Sequence, residues 1–217
     1  MVAARLAYIT GNETYSDWAD MVWDWMSSSA MFERDNTGLL YIWDNVNAET
    51  NCTEVVNFIW SYNYGVLLGG AAYMYNITNG STVWQERIDE LLDSTIRLYF
   101  PEELGGNIMW EYLCEEDEKC NQDQKSFKAY LGRWMTITKM LVPYTWDRIN
   151  PILRSTAVAA AQQCTGGASG TMCSMQWYTD VHLGNSGVGE QVSNPIPLFP
   201  PPPNPNSSKG TDHASHR

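Results

Sequence analysis

Apolar positions recur at helical spacing over much of this chain. Within residues 54–75, Val55, Phe58, Ile59, Tyr62 and Val66 fall on one helix face, and within 81–98 Trp84, Ile88, Leu91, Leu92 and Ile96 do the same. Residues 76–80 supply a turn between them. A further helix pair is predicted over 123–141 and 145–163, separated at Pro143, where a missing N–H and a fixed φ stop a helix, with Pro151 in the first turns of the second member. Residues 17–28 predict another helix with Trp18, Met21, Val22 and Trp25 on one face and Ser16 as its N-cap.

A longer period lies over these elements. Trp43, Trp110 and Trp177 stand 67 residues apart, each closing a short apolar run and each followed by a polar residue, Asp44, Glu111 and Tyr178. A fixed interval of that size is the signature of one supersecondary unit used several times around a common core. Each unit reads as a short apolar strand or ribbon ending in Trp, a long polar loop, a buried helix, a tight turn and an amphipathic helix. Helix hairpins with short turns at one end and long loops at the other are the parts of an α/α toroid, whose inner helices bring their loops to one mouth. The first hairpin has only about nine residues before its turn at Gly11-Asn12, so Met1 falls inside a helix, against about twenty before Asn79. Gly187-Val188-Gly189-Glu190-Gln191 begins one more inner helix and then meets a proline-rich run. Residues 1–191 therefore form one domain, and 192–217 are expected to be a disordered tail.

Composition narrows the function. Apolar residues make up 44% of the 217 and charged residues 18%, enough for one sizeable core. Thirteen Lys and Arg against 25 Asp and Glu leave a net charge of −12, which repels phosphate backbones and argues against nucleic acid as a partner. Ten Trp and twelve Tyr provide flat faces that serve cores and sugar rings alike. No run of about twenty apolar residues spans a bilayer, and the Met1-Val2-Ala3-Ala4-Arg5 start lacks the order of a signal peptide. Five Asn-x-Ser/Thr sequons, at Asn12, Asn51, Asn76, Asn79 and Asn206, nonetheless point to a secreted glycoprotein. The cysteines agree, because Cys114 and Cys120 bracket one loop and Cys164 and Cys173 another, both local enough for disulfides. Cys52 is left over and reads as bonded to a segment outside this chain. With His182, His213 and His216 as the only histidines, no spacing matches a metal site and no cofactor is implied.

The stretches ARLAYITGNETY at 4–15, WSYNYGVLLGGAAYMY at 60–75, DQKSFKAYLGRWM at 123–135 and GVGEQ at 187–191 resemble the C-terminal half of fungal glycoside hydrolase family 76, the mannan endo-1,6-α-mannosidases that include GPI-anchored wall proteins. The resemblance implies an all-α fold, a six-hairpin glycosidase toroid of type (α/α)6, of which this chain holds roughly six of twelve helices. It implies a mannan or GPI-type glycan as ligand, a place in the secretory pathway, cell wall or outer plasma-membrane face, membrane attachment only through a GPI anchor outside this chain, and the barrel's N-terminal half as its missing partner. The family's catalytic pair is an Asp-Asp dipeptide of the N-terminal half, and no such dipeptide occurs in this sequence. A retaining glycosidase needs two carboxyls about 5 Å apart, and Asp44 and Glu111, one repeat apart, are expected to lie ~10 Å or more from each other. No catalytic residue is therefore assigned.

Ligand contact is assigned instead to Asp44 at the mouth, to Trp60, Tyr62 and Asn63 at an inner-helix start, and to Phe127 and Lys128 at the equivalent place in the next unit. Lys128 is expected to hold a sugar hydroxyl or to pair with an acid of the other half. Core packing is the alternative for Trp60, a solvated acid for Asp44, and Glu115, Glu116, Asp117 and Glu118 read as a solvated run. The chain thus reads as part of an α-1,6-mannan hydrolase or wall transglycosidase, or as a non-catalytic glycan-binding relative of one. Half a toroid also leaves apolar faces open, which predicts self-association.

Overall fold

The computed structural model describes residues 1–179, 182, 184 and 186–193. The proline-rich segment from 194 onward, with Asn206, His213 and His216, lies outside the described residues. Seven α-helices and two small ribbons follow one another: α1 Val2–Thr10, α2 Glu13–Ser28, β1 Phe32–Arg34, β2 Leu40–Ile42, β3 Asn45–Val46, β4 Val55–Val56, α3 Ser61–Ile77, α4 Thr82–Tyr99, α5 Phe127–Leu141, α6 Trp146–Gln162 and α7 Val188–Ser193. Three antiparallel hairpins result, α1–α2, α3–α4 and α5–α6, and the short α7 stands beside α5 in the next inner position. The inner helices α1, α3, α5 and α7 pack side by side in chain order. This is the arc of a two-layered helical ring that the repeat predicts.

The turns follow from their residues. Gly11 takes the left-handed φ of 68° that ends α1, and Asn12 then caps α2 by accepting the Thr14 N–H at 3.0 Å. The predicted cap at Ser16 is thus displaced: α2 starts a turn earlier, and the Ser16 hydroxyl donates to the Glu13 carbonyl inside it. The α5–α6 break falls at Pro143, as its chemistry requires, within a short 3-10 turn Pro143–Thr145.

Two predicted elements differ. The helix expected over 54–75 starts only at Ser61, because Val55 and Val56 pair with Val46 and Asn45, and the Phe58 carbonyl accepts the Asp44 N–H at 2.9 Å. Apolar residues at helical spacing were spent on a ribbon, a choice that periodicity alone does not decide. The apolar runs ending in Trp are likewise not all strands. Only the first unit pairs, as β1 with β2 (Phe32 opposite Ile42), while residues 107–110 and 175–177 are irregular. Their polar edges are met by outer-helix hydroxyls: Leu40 N–H donates to Ser94 Oγ of α4, and Met109 N–H to Thr156 Oγ1 of α6.

The α2 face is also not the expected one. Trp23, with Ala19 and Met26, turns toward the core, and its ring meets Phe32 and Trp84 edge-on at 5.5 and 5.6 Å. Arg87 lies 4.2 Å over Trp84 and pairs with Asp20 and Asp24, tying α4 to α2. Trp18, Met21, Val22 and Trp25 are half exposed, and so are Val2, Leu6 and Ile9 of α1. That contiguous apolar edge is the open face expected of part of a ring.

The closest helix contact is α3 on α5. A Cβ on Gly65 would stand 2.8 Å from Leu131 Cα, and one on Gly69 would meet the Trp134 ring at 2.8 Å. Alanine at Gly65 improves helix propensity by about 0.5–1 kcal/mol. It also forces two backbones apart, which costs about 1–3 kcal/mol. Gly65→Ala is therefore expected to lower the thermal midpoint, and a raised midpoint would show that α3 and α5 do not approach this closely.

Candidate functional site at the loop mouth

Three residues meet where the ribbons hand the chain to α3. Asp44 sits between the end of β2 and the start of β3, with its N–H fixed on the Phe58 carbonyl. Its Oδ1 accepts from Tyr62 Oη at 2.9 Å and from Asn63 Nδ2 at 3.1 Å, and its Oδ2 from Asn45 Nδ2 at 3.3 Å. Tyr62 and Asn63 are consecutive residues of the first turn of α3, and all three side chains are half-buried. Burial, then the bond to Asp44, pushes the Tyr62 phenol up to about 12, so it stays a donor. A half-buried carboxylate, an amide and a phenol in one hydrogen-bonded cluster form a set of acceptors and donors suited to hydroxyl groups.

Trp60 and Phe127 pack against Tyr62. The Phe127 ring lies 4.5 Å from Tyr62 and 5.5 Å from Trp60, and with Cys114 they make a small core apart from the main one. Both rings are nearly covered, so they support Tyr62 from below. The Cys114–Cys120 disulfide closes the adjoining loop, and Cys164–Cys173 closes the corresponding loop after α6; Cys52 is unpaired and half-buried.

Lys128 does not face this cluster. One residue past Phe127 on a helix points about 100° away. Its Nζ pairs with Glu115 at 2.8 Å, donates to the Met175 carbonyl at 2.6 Å and lies 3.6 Å over the Trp177 ring, with no exposure. The expected sugar contact or acid of another half is thus replaced by Glu115 of this chain. Glu115 is 2% exposed and leaves the charge run, of which Glu116, Asp117 and Glu118 remain on the surface. Burial drives both members of the pair toward neutrality, and each partner's charge draws the other back.

Glu111 is the residue whose role the sequence hid. It is fully buried, its Oε1 accepts the Ser61 N–H at 3.0 Å, and its Oε2 shares a short hydrogen bond with the Ser61 hydroxyl. A carboxyl 50 residues downstream thereby caps α3. The next acid in the loop ties back to it, since Glu115 Oε2 accepts the Glu111 N–H at 2.6 Å. Burial pushes the Glu111 carboxyl up to about 8, against the pull of its bonds to Ser61. A cavity of about 90 Å³ beside Glu115, Lys125, Gln176 and Glu190 is far below the ~300–1,000 Å³ of ligand sites and suits water. Among the described residues no group of three or more His, Cys, Asp and Glu could hold a metal ion.

Two outcomes follow from these buried acids. Glu111 binds its proton more tightly folded than unfolded, so its contribution is complete below the unfolded carboxyl range and is lost as pH rises toward about 8. Thermal midpoints of the parent chain should fall between about pH 5 and 8, and Glu111→Gln, which mimics the protonated acid, should flatten that slope; an unchanged slope would assign it to another group. Lys128→Met strands a buried carboxylate and should cost about 3–5 kcal/mol in denaturant unfolding, much of it recovered by adding Glu115→Gln.

Comparison with known proteins places this geometry. The chain is 41% identical over 192 residues to mannan endo-1,6-alpha-mannosidase DCW1 of Saccharomyces cerevisiae, covering 88% of this chain and 41% of that protein. It is 39% identical to mannan endo-1,6-alpha-mannosidase DFG5 of Candida albicans, covering 88% and 42%. It thus spans about two fifths of the length of these relatives. The crystal structure of Dfg5 from Chaetomium thermophilum in complex with glucosamine superposes with a TM-score of 0.81 at 34% identity, over 88% of this chain and 46% of that one. The mannosidase Bt3792 of Bacteroides thetaiotaomicron, at 18% identity and a TM-score of 0.60 over 88% and 50%, shares the fold. With the profile described as glycosyl hydrolase family 76 matching residues 1–195, this chain belongs to that family.

Proposed function

We propose that this chain forms the binding side of a cleft for α-1,6-linked mannan in a glycosidase or transglycosidase of the secretory pathway or cell wall. The observation that carries the reading is the Asp44, Tyr62 and Asn63 cluster at the loop mouth of a family 76 fold. Asp44 accepts mannose hydroxyls, Asn63 and Tyr62 orient it, and Trp60 and Phe127 keep Tyr62 in place. A mannan or a GPI-type glycan fits the same donors and acceptors. The relatives' printed activity and the glucosamine in the Chaetomium structure support a hexose ligand.

Cleavage of a glycosidic bond needs two carboxyls flanking it, roughly 5–5.5 Å apart for retention. Glu111 caps a helix and Glu115 neutralises Lys128, so neither is free to attack an anomeric carbon. The acid pair is assigned to the part of the family domain that these residues do not span, and binding and orientation to this chain.

Calorimetric titration with α-1,6-mannotriose tests the reading. Hydrogen bonds to a charged group are worth about 1.5–3 kcal/mol, so Asp44→Ala should weaken binding at least ~tenfold, and Tyr62→Phe less. Equal affinity in the parent chain and Asp44→Ala would place the sugar elsewhere. Binding with no cleavage after addition of the remaining toroid would leave a glycan-binding protein in place of an enzyme.

A further inference from the structure

The sequons follow the fold's own period. Asn12 and Asn79 are 67 residues apart, the interval that separates the three tryptophans, and each occupies the tight turn of its hairpin, α1–α2 and α3–α4. Both line one depression at the turn end of the molecule. We infer that Asn12 and Asn79 carry N-linked glycans and that the turn end of the arc is its glycan-bearing end.

Side-chain geometry sets these two apart from Asn76, the other sequon at this end of the molecule; Asn51, also exposed and left-handed at φ 53°, lies away from the turns in the ribbon loop. Asn12 caps α2 through Oδ1 alone, so Nδ2, the atom that would carry the sugar, is not used by the cap and the residue is exposed. Asn79 stands in the left-handed region at φ 54°, exposed, and its side chain makes no hydrogen bond among the described residues. Asn76 differs. It lies in the last turn of α3 with Nδ2 directed at the Leu141 carbonyl, 3.5 Å away, so a glycan there would displace a contact between α3 and the end of α5. The equivalent turn of the third hairpin is Pro143–Thr145, which contains no asparagine.

The placement has a consequence for the mouth. Tyr62 and Asn63 open α3, and Asn79 follows its other end, about 25 Å away at 1.5 Å per residue. Glycans at the turns leave the Asp44 cluster uncovered, while a bulky hydrophilic chain shields the exposed Tyr8 and Ile9 at the end of α1.

The test does not depend on sugar binding. The whole chain is secreted from a eukaryotic host behind a leader peptide, released from its glycans by peptide N-glycosidase in heavy-oxygen water, and mapped by mass spectrometry. Asn12 and Asn79 should be recovered as labelled Asp and Asn76 as Asn. Asn12→Gln and Asn79→Gln should each lose one glycan, and Asn76→Gln none. Unlabelled Asn12 or Asn79 in the secreted chain, or label at Asn76 in place of Asn79, would overturn the inference. Enzymatic deglycosylation should leave mannotriose affinity unchanged wherever it is measurable, and a change would contradict the separation of the two ends.

Discussion

The first N–H groups of an α-helix have no partner within it, and where the helix starts inside a protein those donors must be met. At α3 Trp60 offers no side-chain cap, and a buried carboxyl from the next repeat supplies it: Glu111 takes the Ser61 N–H and shares a bond with its hydroxyl. The loop that brings Glu111 there is held by Glu115, which accepts the Glu111 N–H and binds Lys128 in the second position of α5. Two acids four residues apart thus lock the starts of two successive inner helices. The third repeat joins through the Met175 carbonyl on Lys128 and the Gln176 amide, which donates to the Glu115 carbonyl at 2.8 Å.

Everything at the mouth depends on that lock. Tyr62 and Asn63 reach Asp44 only because Ser61 fixes where α3 begins, and Phe127 supports Tyr62 only because Lys128, one residue along, is anchored the other way. The two glycines of α3 contribute at the same interface. Without side chains at Gly65 and Gly69 the helix lies close enough to α5 for the Phe127 ring to come 4.5 Å from Tyr62. A buried acid pushed up to about 8 is the cost of capping a helix away from water.

Much of this was legible in the residues. Helical spacing predicted the hairpins, the 67-residue interval their common unit with Asp44 after its first Trp, and four stretches, Trp60–Tyr75 among them, pointed to the family. What was not legible has a common cause. Periodicity reports that residues share a face, not what that face meets. Trp18, Met21, Val22 and Trp25 share a face that stays half exposed, while Trp23 meets Phe32, Trp84 and Arg87. Glu115 stands in a run of four acids, and only the fold separates the one that turns inward. Its neighbour Cys114, tied to Cys120, was the available signal that the loop folds back on itself.

The three residues that follow the repeat tryptophans show how far a repeat constrains chemistry. Each indole N–H is satisfied locally: Trp43 donates to Glu33, Trp110 to the Leu98 carbonyl and Trp177 to the Ser174 carbonyl. The tryptophan is thus anchored in every unit, though each time by a different partner and on a backbone that is a strand only in the first. Yet Asp44 is half-buried between two ribbons and accepts from Tyr62 and Asn63, Glu111 is sealed against Ser61, and Tyr178 is half-buried with its phenol pushed up to about 12. The sequence position recurs and solvent access does not. Carboxyl chemistry follows access: Glu111 is buried and committed to holding α3, and Asp44 is only half-buried. Of these three positions, the first unit alone has a carboxylate that is not fully buried, which is why the proposed sugar contact rests on Asp44 and not on the repeat as such.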